Sequence, residues 1–136
     1  MPERILVRLQ IVSDSLTCEE LKSQIGLSPS RSMRKGELIP STLLVHKSNV
    51  WELVSGLQES ASIQDQLMAL SFRFEPVANR IAALSKIAEI TVSCVVYCTR
   101  QPDLYVKPEL IQKISKIGAG IDIDVYWTES GPEEVE

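Results

Sequence analysis

Residues 4–13, RILVRLQIVS, alternate apolar and polar side chains with a period of two. Ile5, Val7, Leu9 and Ile11 fall on one side, and Arg4, Arg8 and Gln10 on the other. This predicts a strand with one buried face. The period then changes. In SLTCEELKSQIGLSP, Leu21 and Ile25 lie four apart, and Thr17 followed three positions later by Glu20 forms a capping box. Gly26 stands where a helix takes its left-handed C-terminal residue, and Pro29 forbids continuation.

Residues 40–48, PSTLLVHKS, fit neither period. Residues 49–55, NVWELVS, predict a strand with Trp51 and Leu53 on one face. In SIQDQLMALSFRF, Ile63, Leu67, Leu70 and Phe74 are spaced by four, three and four, as on an amphipathic helix. Pro76 then either kinks that helix or, as the better fit, opens a second one as its first residue, with Val77, Ile81, Leu84 and Ile87 continuing the stripe. The β-branched run ITVSCVVYC, residues 90–98, predicts a central strand. Pro108 opens PELIQKISKIG, with Leu110, Ile111, Ile114 and Ile117 inward and Gly118 as the stop. The last strand, residues 120–127, alternates sharply. Ile121, Ile123, Val125 and Trp127 share one face, and Asp122, Asp124 and Tyr126 the other.

These elements predict an α+β fold over residues 1–128, a single domain with a mainly antiparallel sheet and helices packed on one face. Residues 129–136 form an acidic, flexible tail. LTCEELKSQIGLSPSR and VKPELIQKISKIGAGI resemble each other, each a capped helix with an E-L start and an I-G stop. Either two short amphipathic helices coincide, or the domain is a pseudo-duplicated, ferredoxin-like sandwich of two strand–helix–strand halves. The uncovered sheet face would then carry Arg4, Arg8, Asp122, Asp124 and Tyr126. With the first and last strands as neighbours, Arg8 would pair across to an aspartate. Such a face is either a solvated surface stitched by ion pairs or a recruited binding or dimerisation surface.

Composition narrows the classes. The 136 residues are 44% hydrophobic and 24% charged, with a formal net charge of -4. That is globular, not disordered, and the negative balance opposes sequence-independent nucleic-acid binding. No apolar run approaches the ~18 residues of a membrane span, and MPERILVRLQIV lacks the continuous apolar stretch of a signal peptide. The expectation is a cytoplasmic protein, monomeric or homodimeric. Three cysteines leave one unpaired in any disulfide scheme, which suits a reducing compartment.

Little in the chain carries chemistry. His46 is the sole histidine, which excludes histidine-rich metal sites. Cys94 and Cys98 share a strand face with Val92 and Val96 and read as core; with only Cys18 besides, a zinc site lacks ligands. Asp122 and Asp124 are too few oxygen donors for a hard cation. No phosphate-loop, dinucleotide, nucleophile-elbow or zinc-protease motif occurs. No catalytic residue, metal or cofactor is assigned. The best local candidate is SPSRSMRKGEL, residues 28–38. There Arg31, Arg34 and Lys35 precede Gly36, and Trp51 would supply a stacking platform for a bound anion.

CEELKSQIGLSPSRSMRKGE, WELVSG, the helix pair, the VSC strand and IGAGIDIDVY resemble, in this order, the bacterial domain-of-unknown-function family four-two-seven-nine. GLSPSRSMRKGE and GAGIDIDVY are the most distinctive parts. Met33 stands where that family commonly has an aromatic residue, which weakens a stacking surface in the loop. The resemblance implies a compact α+β domain without an assigned activity. Two functional readings follow. One is a small non-enzymatic interaction module, immunity-type or regulatory, contacting an unidentified protein partner. The other is a small-anion or nucleotide-binding protein using the basic loop at residues 31–36.

Overall fold

The computed structural model describes residues 3–128, so the predicted acidic tail lies outside the described residues. In chain order the elements are β1 (Arg4–Ser13), α1 (Cys18–Ile25), β2 (Arg31–Met33), β3 (Asn49–Val54), α2 (Ile63–Phe74), a 3-10 turn (Glu75–Val77), α3 (Ala78–Ala82), β4 (Glu89–Cys98), α4 (Pro108–Lys116) and β5 (Gly120–Trp127). Local signals account for most boundaries. Thr17 Oγ1 accepts from the Glu20 amide at 3.1 Å, while Glu20 Oε1 accepts from the Thr17 amide at 3.0 Å. Gly26, at φ 77°, closes α1 by donating to the Lys22 carbonyl at 2.9 Å. Pro76 sits in the 3-10 turn that separates α2 from α3.

The strands form one sheet in the order β2-β3-β1-β4-β5. All pairings are antiparallel except β4 with β5. Through β4 this is the ferredoxin-like arrangement. The unit β1-α1-β2 is split by β3, and the unit from β3 through α2 and α3 to β4 is split by β1. In this topology α1 and the α2–α3 segment hold equivalent places. The likeness between α1 and α4 has another origin, because α4 belongs to an appended parallel β4-α4-β5 unit. Both are amphipathic helices on a sheet ended by a left-handed glycine, but only α1 has the expected side-chain cap; α4 starts at Pro108 with no side-chain cap on Lys107.

The period-two alternation of β1 and β4 survives intact as buried and half-buried positions. Ile5, Val7, Leu9, Ile11, Trp51, Leu53, Val92, Cys94 and Val96 meet Leu21, Ile25, Leu67, Leu70, Phe74, Leu110 and Ile114 in one hydrophobic core. Two predicted inward positions differ: Ile87 and Ile111 are about half exposed. For Ile111 the reason is helical phase, since Leu110, Ile114 and Ile117 already span the face of α4 that meets the core. Residues 36–46, where no element is expected, build a hairpin. Gly36 donates to His46 and His46 to Glu37, each at 2.8 Å, and Leu38 bridges Val45. Its tip leaves Leu43 97% exposed. Among the described residues no helix is long and apolar enough to cross a membrane.

Gln66 is a polar pin in the core, 1% exposed. Its Nε2 donates to the carbonyls of Ile5 at 2.7 Å and Ala61 at 3.1 Å, and its Oε1 accepts from Ser55 Oγ at 3.1 Å. It thereby ties α2 to the start of β1. Replacing it with leucine keeps the volume but strands the Ser55 hydroxyl and the Ile5 carbonyl. Gln66→Leu is expected to cost about 1–3 kcal/mol, read as a lower urea midpoint at unchanged slope.

Candidate functional site

With the helices on one side, the other face of the sheet carries no covering element among the described residues. The strand registers fix its pattern. Arg31 on β2 lies opposite Glu52 on β3, which lies opposite Gln10 on β1, opposite Thr91 on β4. One step along, Val54, Arg8, Ser93 and Asp122 form the next row. Val95 and Asp124 follow, and then Arg4, Tyr97 and Tyr126. The predicted face residues Arg4, Arg8, Asp122, Asp124 and Tyr126 thus do share one surface.

The expected Arg8–aspartate pair does not form. β4 lies between β1 and β5, and Ser93 occupies the position between Arg8 and Asp122. Arg8 turns instead to β3, where its Nη1 is 3.4 Å from Glu52 Oε1. Gln10 Nε2 donates to the same oxygen at 2.9 Å. Glu52 is only 2% exposed although it stands on the bare face, with Arg31 as its neighbour on the outer strand. The sequence offers the alternation Val50, Glu52, Val54 but no hint that this carboxylate anchors two strands.

At the other end of the face lies an aromatic ladder. Tyr97 and Tyr126 stack with centroids 5.4 Å apart and planes at 22°, and the Arg4 guanidinium sits 5.1 Å from the Tyr97 centroid. Such a stack contributes about 0.5–1.5 kcal/mol beyond its area. Arg4 is further held by Glu59 Oε1 at 2.9 Å. Tyr97 was legible only as part of a β-branched strand, because its meeting with Tyr126 depends on the β4–β5 register. Asp122 and Asp124 have no hydrogen-bond or ion-pair partner among the described residues.

The basic segment has a different fate. Arg31 and Met33 bound β2, with Met33 buried. Arg34 pairs with Glu19 in the first turn of α1. The Lys35 amide donates to Asn49 Oδ1 at 2.8 Å, and Gly36, at φ 86°, enters the hairpin. Trp51 is fully buried, its indole N–H donating to the Leu27 carbonyl at 3.2 Å. The structure therefore does not bring its ring to the surface beside Arg31, Arg34 and Lys35. Gly36 opens no helix whose free amides could cradle a phosphate.

The cysteines are buried thiols. Burial, with a smaller contribution from the charge of Asp122, pushes the Cys94 thiol up to about 12. It is un-ionised and unreactive at neutral pH. Among the described residues no group of three or more His, Cys, Asp and Glu side chains could hold a metal ion.

The fold and face define a small α+β domain with a one-sided sheet. The chain belongs to DUF4279, a domain of unknown function, whose family model matches residues 3–128. Comparison with curated proteins and with solved structures gives no match.

Two outcomes follow from these pairings. The Arg34 guanidinium, by its hydrogen bond first, holds the Glu19 carboxyl below the ordinary carboxylate value. The pair is fully formed above the unfolded value and is lost as pH falls through the lower folded one. Carboxyl NMR titration should therefore give Glu19 a lower midpoint in the native protein than in Arg34→Ala. Glu52→Leu should cost about 1–3 kcal/mol by leaving Arg8 and Gln10 without their acceptor, and Glu52→Gln less, both measured by denaturant unfolding.

Proposed function

We propose that this protein is a small interaction module that contacts a protein partner through the bare sheet face, from Arg4 and Arg8 across Tyr97 to Asp122, Asp124 and Tyr126. The observation that carries the reading is a sheet face that, among the described residues, has no covering layer and carries stacked tyrosines and two carboxylates without a partner. Aromatic rings that expose a flat, rigid surface at low entropic cost are the usual anchors of protein contacts. The net charge of -4 suits a regulatory or immunity-type role in which an acidic protein occludes a basic surface.

The anion-binding alternative has weaker support. Of its four residues, Trp51 lies in the core and Arg34 is paired with Glu19, leaving Arg31 and Lys35. A thermal-shift screen of phosphorylated metabolites addresses it directly: a ligand at about 100 times its dissociation constant stabilises by about 2.7 kcal/mol. A shift abolished by Arg31→Ala would favour that reading.

For the interaction reading, the full chain and the folded variant Tyr126→Ala/Asp124→Lys are each used to capture partners from the source cell. The expected result is a specific protein retained by the wild type and lost by the variant. Retention of the same proteins by both, or of none by either, overturns the assignment of the face.

A further inference from the structure

The helix layer stops short of β5. On β4, Val92, Cys94 and Val96 are fully buried, whereas their neighbours Ile121, Ile123 and Val125 on β5 remain 38%, 38% and 36% exposed. Trp127, beside Cys98, is 64% exposed. As the last strand of the sheet, β5 also presents an outer row of backbone amides and carbonyls with no strand opposite them among the described residues. Natural edges are blunted by short length, lysine, proline or bulges. The opposite edge, β2, is blunted in this way, being three residues long. β5 has eight residues without lysine or proline, and its only charges, Asp122 and Asp124, deter an acidic strand but not a basic one.

We infer that β5 is a docking strand for an extended, basic segment of another polypeptide, which joins the sheet as a sixth strand. This rests on the interaction-module reading above and specifies the partner's chemistry. In strand addition the main-chain hydrogen bonds supply affinity and the alternate side chains supply selectivity. An added strand places one set of side chains beside Asp122, Asp124 and Tyr126 and the other beside Ile121, Ile123, Val125 and Trp127. The segment that fits has lysine or arginine at every second position and β-branched apolar residues between them. The two carboxylates stand two residues apart on one face, so they take two cations at the same spacing, and an arginine at the next such position stacks on Tyr126.

Two other occupants fit less well. A second copy pairing antiparallel about a two-fold axis normal to the sheet confronts carboxylates in both central registers. Centred on Ile123, Asp122 faces Asp124 of the other copy; centred on Asp124, the two Asp124 side chains face each other. Like charges directly opposite are destabilising. The chain's own residues 129–136 contain Glu129, Glu133, Glu134 and Glu136 and no lysine or arginine, so they share the charge of the strand face.

The test uses the full chain with three blocked octapeptides: alternating lysine and valine, alternating glutamate and valine, and the lysine peptide with two inner valines replaced by proline. Two readouts locate the contact. One is hydrogen exchange of the β5 amides; the other is the emission of Trp127, against the constant background of buried Trp51. The lysine–valine peptide is expected to protect alternate β5 amides and shift Trp127 to the blue. The proline and glutamate peptides should bind at least tenfold more weakly, and Asp122→Lys/Asp124→Lys should invert the charge preference. Equal binding of the proline peptide overturns strand addition. Equal binding of the glutamate peptide, or indifference to the charge reversal, overturns the basic partner. Protection of β5 that rises with protein concentration alone assigns the strand to a second copy and overturns the inference. If β5 stays unprotected with every peptide while capture still depends on Tyr126 and Asp124, the inference fails and the module reading stands; loss of both results removes both.

Discussion

The strict alternation of β1 and β4 is the constraint on which the rest of the molecule depends. A strand whose apolar side chains all fall on one face can be buried from one side only. Ile5, Val7, Leu9 and Ile11, together with Ile90, Val92, Cys94 and Val96, set the side on which every helix must pack. Burying each such side chain contributes roughly 1.5–3 kcal/mol, which no arrangement of the surface charges could offset. Apart from Ser13 and Asn49, which face each other at the end of the inner face, the polar residues of β1, β3 and β4 are thereby gathered on the opposite face. The bare face is the necessary complement of the core.

That face is held together before it meets any partner. Glu52 is taken out of water by Arg8 and Gln10, and Arg4 is fixed between Glu59 and Tyr97. These contacts join β1 to its neighbours and set side chains that would otherwise be free. The order declines toward β5, where Tyr126 is stacked but Asp122 and Asp124 have no partner among the described residues. The gradient runs from a self-satisfied surface at β3 to an unsatisfied one at the sheet edge.

The elements were legible because each carries its own signal: the Thr17–Glu20 capping box, Gly26, Pro76, Pro108, and the alternations of β1 and β5. The hairpin at residues 36–46 was not, because its bridges come from main-chain pairing between short limbs and its apolar residues point outward. The strand order was legible only in part. Nothing local tells β1 that β3 and β4, rather than β5, will flank it, so the sequence points Arg8 to an aspartate where the fold gives it a glutamate. The candidate face followed from alternation alone, since alternation decides which side chains share a surface. Its internal contacts required register, which is why Glu52 and Tyr97 stayed unnoticed. Trp51 shows the same limit from the other direction: its sharing of one face of β3 with Leu53 is readable, and it does lie opposite Ser32 in the basic segment, but alternation alone does not tell that this face is the buried one.

The central place of β1 also governs how the chain can assemble. Its first residues pair with the far end of β4, Arg4 opposite Tyr97, and its last with the start of β3, Ser13 opposite Asn49. During synthesis the strand that will occupy the middle of the sheet is made first and waits, unpaired, for both of its neighbours. Such non-local pairing slows folding and prolongs the exposure of an apolar strand. Loss of β1 would divide the sheet into two parts with no shared hydrogen bonds. Loss of β5 would merely move its margin to β4.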